Sequence, residues 1–577
     1  MSRTSSAKKR QQSVSHTDLH TDMIKTETMA ERTKRHDDLA AQILLCFFIS
    51  LFALATYIAM AETNPDSDTL WLIPTGKWIV EHKCVPHTNP FTYTQNLGII
   101  VQQPLCAILN YLYATIRGGI SHLWELAMAE NVILIAAVTV FLSKRKLYPI
   151  RLISTLIFVE LFVTSSGYIT TRPYQLTMVN LLILITVLEN ARLKDSFDGV
   201  PAAVILCTIF QANYQMASLI FIPCIILCYM FGTGIDRLRN HTPIRHEKMY
   251  GWFGAVALFI VCSLINPYGY KGALYLFYSF DTISGNVGSH IVELQQASSL
   301  SLMMLVCTYG VIAMVIRICK KQEYSMVHFL FLLGTTFMTM LAVRNFCLSI
   351  LAFILVYSSA PEKEDDPDSK AKQLWRAFTD DVNKNHPYIY GFLSGASVKN
   401  EVKDYIPKII KGVMFILATI FFVLAFFVSQ LLSKKSAEPI IDIVDAIEAL
   451  PEDAKIYTSF DTGALVEYAG RKTFMDARPE LYTPKISGSN LLDTWDKYEF
   501  GDGDIAEYVT SSDWDYYLIK KGTRLEYYLK YSGTGEEIYS GDFVALYKYQ
   551  YPDSASSQKT AAQSKQSAVP VVNSQEK

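Results

Sequence analysis

The chain has 577 residues, half of them hydrophobic and 18% charged, with a formal net charge of −2. A soluble protein carries about a quarter charged residues, so a wholly aqueous fold is excluded, and a balance this close to neutral predicts no nucleic-acid partner. The apolar residues come in runs of roughly 17 to 22, the length a helix needs to cross about 30 Å of hydrocarbon, which predicts a multi-pass membrane protein with transmembrane helices.

Residues 1–38 are polar and rich in Ser, Thr, Lys and Arg, the composition of a disordered tail. They are too long and polar for the start of a signal peptide, and no small-residue cleavage site follows, so the first span is expected to be retained. Spans are expected at 39–60, 124–142, 148–165, 173–192, 198–213, 216–232, 250–266, 297–317, 325–341, 344–359 and 409–432, about eleven in all. Basic residues of the tail, of Lys144–Lys146, of Arg192 and Lys194, of the Arg237–Lys248 loop and of Lys320 and Lys321 fall on one side in this count. That side is the cytoplasm, so the N-terminus is cytoplasmic. The first loop (62–122), the loop 267–296 and everything after residue 433 then lie outside, and 360–408 is a cytoplasmic loop. Gln211, Asn213, Tyr214 and Gln215 interrupt the apolar run 198–232, either as a tight hairpin at the outer surface or as a break in one long helix.

From 437 to 550, helix-like and strand-like segments alternate, which predicts a small extracytoplasmic α/β domain with a largely parallel sheet. Residues 551–577 have no core-forming pattern and read as a second disordered tail. The fold class is therefore an α-helical polytopic membrane protein, with a transmembrane domain over 39–432 and a C-terminal α/β domain. Most of the ten cysteines lie in apolar runs, whereas Cys84 and Cys106 share the first loop, where a disulfide between them suits an oxidising compartment.

Chemistry centres on Asn64-Pro65-Asp66-Ser67-Asp68, directly after the first span. A carboxylate at the membrane surface can take a proton from a hydroxyl or hold a divalent cation, Mg or Mn, beside a phosphate. Asp66 and Asp68 are thus the candidate catalytic residues and candidate metal ligands; the bland reading is that they cap the helix starting near Thr69. Trp71 and Trp78 suit the interface where a lipid-linked head group presents itself. Arg172 and Arg344 each sit at an outer span end, where a guanidinium binds a phosphate, snorkels to lipid head groups or pairs with a carboxylate. In the loop 267–296, Tyr268 and Glu293 belong to a polar, aromatic set suited to sugar or phosphate contact, or to a solvated connector. Glu160 is expected to be buried, and Glu189, beside Arg192, to reach the cytoplasmic surface.

Asp66-Ser67-Asp68, Trp71, Thr75-Gly76-Lys77-Trp78 and Val85-Pro86-His87-Thr88-Asn89-Pro90-Phe91 together resemble the first outer loop of bacterial proteins of the GT-C glycosyltransferase superfamily. Further matches are Arg172-Pro173, Asn266-Pro267-Tyr268-Gly269, Arg344-Asn345, Asp461-x-Gly463 and Phe474-Met475-Asp476-Ala477-Arg478-x-x-Leu481-Tyr482. The resemblance implies a polyprenyl-phosphate-linked sugar as donor at the outer face of the plasma membrane, an envelope glycan or protein as acceptor, Asp66 or Asp68 as base or metal ligand, and Arg172 and Arg344 on the lipid phosphate. Relatives carry His where Leu72 stands and a His-Glu-Trp cluster where Gln103-Pro104-Leu105 stands, so the acceptor site differs here or the activity is lost. The expected function is accordingly a membrane glycosyltransferase of the cell envelope. The rivals are a non-catalytic membrane protein that handles lipid-linked precursors or scaffolds envelope assembly, and, third, a transporter.

Overall fold

The computed structural model describes residues 67–93, 97–143, four positions within 155–159, 171–242, 246–278, 295–298, 301–320, 324–358, 405–488 and 490–550. The expected span 39–60 and nearly all of 148–165 lie outside these residues, as do Asp66, Glu160 and Glu293. The chain divides into two compact units, one of residues 1–59, 139–164 and 357–429, the other of 60–138, 165–356 and 430–577. Most of the first unit lies outside the described residues; the second holds the helices of the first loop, most of the apolar helices and the C-terminal sheet.

The first loop supplies two helices, α1 (Ser67–His82) and α2 (Pro104–Arg117). The apolar helices after them are α3 (Leu123–Ser143), α4 (Tyr174–Lys194), α5 (Val200–Tyr214), α6 (Phe221–Arg239), α7 (His246–Ser263), α8 (Leu302–Cys319), α9 (Met326–Leu341) and α10 (Phe346–Ser358). Four segments, Ile120–Leu142, Tyr174–Lys194, Met216–Arg239 and Leu302–Cys319, are long and apolar enough to cross a membrane; Val200–Tyr214, Tyr250–Ser263, Met326–Leu341 and Val343–Ser358 are shorter apolar helices. The interruption at Gln211–Gln215 separates two helices: Gln215 is extended (φ −155°), and α5 and α6 each pack on α4 and α7.

Glu189 is buried, contrary to the surface position expected of it. It pairs with Arg192 at 2.5 Å, accepts from the Tyr229 hydroxyl at 3.0 Å and lies 3.2 Å from His328 Nε2. Three helices thus meet on one carboxylate, as a charge inside apolar surroundings requires.

A long helix, α11 (Tyr405–Glu448), leads into a four-stranded sheet of order β1-β2-β4-β3. The strands are β1 (Ile456–Thr458), β2 (Tyr516–Lys520), β3 (Gly535–Ser540) and β4 (Val544–Tyr549). Only β1 and β2 run parallel; β2 with β4 and β3 with β4 are antiparallel. The expectation of a largely parallel sheet is therefore corrected to a mixed one. Alternating segments suggested crossovers throughout, but β3 and β4 are joined by the three residues Gly541–Phe543, too few for a parallel return.

The sheet is not a free-standing domain. Leu70, Trp71, Leu72 and Ile73 of α1 share one buried cluster with Ile443, Ile447, Ile456, Val466 and Leu518. The loop after α1 even extends the sheet edge, since Thr92 bridges Thr473, which in turn bridges Ile456 of β1. Phe91 O accepts from Thr473 N at 2.9 Å. The Asn89-Pro90-Phe91 run makes this turn, with the Asn89 side chain accepting from Phe91 N at 3.0 Å, an Asx turn.

Close helix approach explains Gly76. A Cβ there would lie 2.0 Å from the Ala107 carbonyl oxygen, so α1 and α2 touch backbone to backbone. Gly76→Ala is expected to cost about 1–3 kcal/mol or more through overpacking, read as a lower unfolding temperature of the purified protein.

Glu499 supplies a pH-dependent stability. Burial, with repulsion from Asp461 and partial relief from Arg524, pushes its carboxyl from 4.5 up to about 7. Between these two values the folded chain holds a proton that the unfolded chain has released, so stability falls as pH rises from about 4.5 to 7 and then levels. Glu499→Gln is expected to remove this loss, worth about 3 kcal/mol at most. Its unfolding temperature should exceed the wild type's at pH 8 and match it near pH 4.5.

Candidate active site

Asp68 lies in the first turn of α1, half-exposed. Its Oδ1 accepts from the Trp71 indole N–H at 3.1 Å, and its Oδ2 lies 3.3 Å from Arg172 Nη1. Arg172 precedes α4, whose N-terminus is set by Pro173. The adjacent Thr69 and Thr171 hydroxyls bond at 2.8 Å, which fixes the start of α1 against the start of α4. Two of the expected site residues, Asp68 and Arg172, are therefore in direct contact.

Trp71 is 1% exposed, so the structure corrects its expected interfacial placement. Its ring lies under the Arg478 guanidinium, 4.8 Å from the ring centre, and Phe91 lies 5.5 Å from the same group. A guanidinium against aromatic faces is favourable, more so when desolvated. The C-terminal domain thus reaches the catalytic candidate through one side chain, Arg478 on Trp71, and Trp71 on Asp68.

The Asp476-Ala477-Arg478 run builds this contact locally. Arg478 donates to Asp476 from Nε at 3.0 Å and from Nη2 at 2.5 Å, and from Nη2 to Glu467 at 2.7 Å. The Tyr482 hydroxyl donates to Asp476 Oδ2 at 2.8 Å. Glu467 comes from the helix Gly463–Tyr468, which can settle here because Gly463 has no side chain; a Cβ would lie 1.8 Å from Met475 O. One cation cannot keep two buried carboxylates charged. Burial opposes charge on Asp476, but the Arg478 guanidinium and its hydrogen bonds hold the carboxyl below its usual range. At Glu467 burial, helped by repulsion from Asp476, outweighs Arg478 and drives the carboxyl well above its usual range.

Beside this cluster is a second buried acid. Glu480 accepts from the Tyr275 hydroxyl at 2.7 Å and from Gln102 Nε2 at 3.3 Å, and burial raises its carboxyl above the usual range. Arg344 is half-buried in the turn Val343–Asn345, and its charge, like that of Arg478, acts on Tyr275. Arg344 is therefore within electrostatic reach of Tyr275.

No family model and no curated protein sequence matches the chain. Among solved structures it is similar to the Archaeoglobus fulgidus oligosaccharyltransferase tethered to an acceptor peptide, at 11% identity over 82% of this chain and 68% of that one, with a TM-score of 0.45. It is also similar to ArnT from Cupriavidus metallidurans bound to undecaprenyl phosphate, at 12% identity over 87% of this chain and 97% of that one, with a TM-score of 0.46. At scores of this size the reading of the site rests on the residues of this chain.

Tyr268 is placed as a strut of the first loop. It is buried, its hydroxyl donates to Pro86 O at 2.8 Å and it accepts from Val101 N at 3.0 Å. Asn266 holds the turn, bonding Tyr268 N at 2.9 Å and Gly269 O at 2.8 Å. Tyr268→Phe is expected to destabilise by about 1–3 kcal/mol, because Val101 N and Pro86 O lose a buried partner; thermal unfolding reads it. Leu72 is fully buried, where a polar side chain would have no water. Cys84 is exposed and Cys106 buried, both free thiols, so the two are not joined by the disulfide that their shared loop allowed.

A divalent cation fits poorly at Asp68, since the Arg172 guanidinium occupies the face it would need. Among the described residues no three His, Cys, Asp or Glu side chains come together to hold a metal ion. A base at Asp68 needs none.

Sequence reasoning passed over Arg478, Glu467, Glu480, Gln102 and Tyr275 as site residues. For Arg478 a signal existed, because Asp476-Ala477-Arg478 is part of a GT-C-like motif, yet nothing in its spacing points to Trp71, 407 positions upstream.

Proposed function

We propose that the chain is a membrane glycosyltransferase that moves a sugar from a polyprenyl-phosphate donor to an envelope acceptor on the outer face. In this reading about eleven spans place the first loop and the C-terminal domain outside. Asp68 is the base that takes the acceptor proton, with Asp66 as its neighbour in sequence, and Arg172 and Arg344 bind the lipid phosphate. The observation that carries the proposal is the Asp68–Arg172 contact, which sets an acid and a phosphate-binding cation against each other at the start of α1. A donor phosphate competes for the guanidinium, which prefers a bidentate oxyanion partner. Arg172 then moves to the phosphate, and Asp68 is released as a base only when donor is bound. The apolar helices support a multi-pass membrane protein; the transfer, the donor, the acceptor and the roles of the residues are the proposal.

The test compares envelope glycans by mass spectrometry in strains carrying the wild-type gene, a deletion, and Asp68→Asn. The proposal expects Asp68→Asn to reproduce the deletion. A wild-type glycan profile from Asp68→Asn, with a clear change on deletion, sinks the catalytic role.

One observation favours a second reading, a non-catalytic handler of lipid-linked precursors: both Asp68 oxygens already have partners within the protein. That reading expects Asp68→Asn to be tolerated and loss of residues 437–577 not to be.

A further inference from the structure

The face of α2 turned away from the core is the wrong way round for a helix in water. Its buried positions are small or polar, Cys106, Ala107, Asn110 and Ala114. Its exposed apolar positions are Leu105 (40%), Leu112 (42%) and Ile116 (80%), with Ile108 and Leu109 half-exposed between them and Thr115 and Arg117 exposed near its end. The apolar residues recur at helical spacing and form one outward stripe. An exposed stripe of this kind marks a surface that meets hydrocarbon or a partner.

The stripe opens into a cleft of about 840 Å³ between the end of α1 and the start of α2. Val80, Lys83, Cys84, Leu105, Ile108 and Pro267 are among its walls, and Ile265 just before Pro267 is 51% exposed. That volume falls within the range of sites that hold small molecules. Lys83 and His87 are the charged or titratable side chains on the cleft, apart from the Cys84 thiol; among the described residues no carboxylate lines it. Lys83 ends α1 in the left-handed region (φ 55°). Arg117, at the far end of the stripe, is already taken by Glu125 at 2.8 Å. Val80 is twelve residues from Asp68 along α1, about 18 Å at the helical rise, so the cleft is separate from the candidate active site.

We propose that this cleft binds one acyl chain of an anionic glycerophospholipid, with Lys83 on its phosphate and the α2 stripe lying at the hydrocarbon boundary. Apolar continuity with the exposed faces of the membrane helices selects a lipid over a soluble partner. The cationic side chain without an opposing carboxylate selects an anionic head group. This site is independent of the transfer reaction.

The test uses the full-length protein with a bimane on Cys84, in phosphatidylcholine vesicles doped with phospholipid bearing a mid-chain nitroxide. The same labelling of Cys84→Ser protein subtracts label on every other thiol, among the described residues the exposed Cys224 and Cys319. Mid-chain nitroxide is expected to quench the Cys84 signal, with phosphatidylglycerol effective at about five-fold lower mole fraction than phosphatidylcholine, the size of one interfacial lysine. Lys83→Gln should abolish that preference and keep the quenching, and Asp68→Asn should leave both unchanged even if it ends transfer. Joint replacement of Leu105 and Ile108 by serine should remove the quenching. Quenching of wild-type protein by aqueous iodide with none from the nitroxide overturns the site, and equal quenching by the two head groups overturns its anionic selectivity; the wild-type measurement decides both.

Discussion

Replacing Arg478 with methionine is expected to destabilise the C-terminal domain by about 3–5 kcal/mol, the cost of stranding a buried charge. Asp476 is fully buried and keeps its charge through Arg478, which meets it with two side-chain hydrogen bonds. Methionine keeps the aliphatic stem but removes the guanidinium, so the loss of its contact with Trp71 and Phe91 adds to the electrostatic cost. The same pairing sets the sign of the pH dependence. Asp476 titrates below its usual range in the folded protein, so it contributes stability above the unfolded carboxylate range and loses it as pH falls through the folded value. In Arg478→Met that contribution disappears, and the variant should gain relative to wild type as pH is lowered, because protonation of Asp476 removes the stranded charge. Adding Asp476→Asn to Arg478→Met should recover part of the stability at neutral pH. Thermal unfolding of the four proteins in a double-mutant cycle measures this, and additive effects of the two substitutions would count against the pairing. Because Arg478 also covers Trp71, whose indole holds Asp68, activity should fall with stability in the single variant.

The helices were legible because hydrophobic runs of membrane length dominate any local propensity. The C-terminal strands at residues 516–519 and 543–547 were legible too, from their β-branched and aromatic content. What the sequence could not show was pairing. Thr473 bridges the first loop at Thr92 on one side and β1 on the other, and the first of these contacts joins segments nearly four hundred residues apart. Trp71 illustrates the same limit at the site. A tryptophan beside a span reads as an interfacial anchor by frequency, whereas here a buried guanidinium from the C-terminal domain covers it. Asp68 and Arg172 were picked out individually by residue type and position; that they touch is a property of the fold.

Asp68→Asn is expected to lower sugar transfer by about 10²–10⁴-fold, the usual worth of a positioned acid or base, with little change in stability. Asparagine caps a helix as well as aspartate does, and a partly exposed ion pair such as Asp68–Arg172, with side chains 31% and 15% exposed, contributes only about 0.2–1 kcal/mol. The substitution therefore isolates chemistry from folding. It also removes one charged partner of Arg172, so polyprenyl phosphate should bind the variant as tightly as wild type or more tightly, measured by native mass spectrometry of the purified protein. Arg172→Gln separates the other half of the pair. It leaves the carboxylate in place but removes a phosphate partner, so lipid-phosphate binding should weaken, and transfer should fall through KM more than through kcat. Opposite movements of binding in the two variants are what an acid and a phosphate cation in competition require. If both variants weaken binding alike and Asp68→Asn retains its rate, the pair is a structural latch between the starts of α1 and α4, and the base must be sought elsewhere.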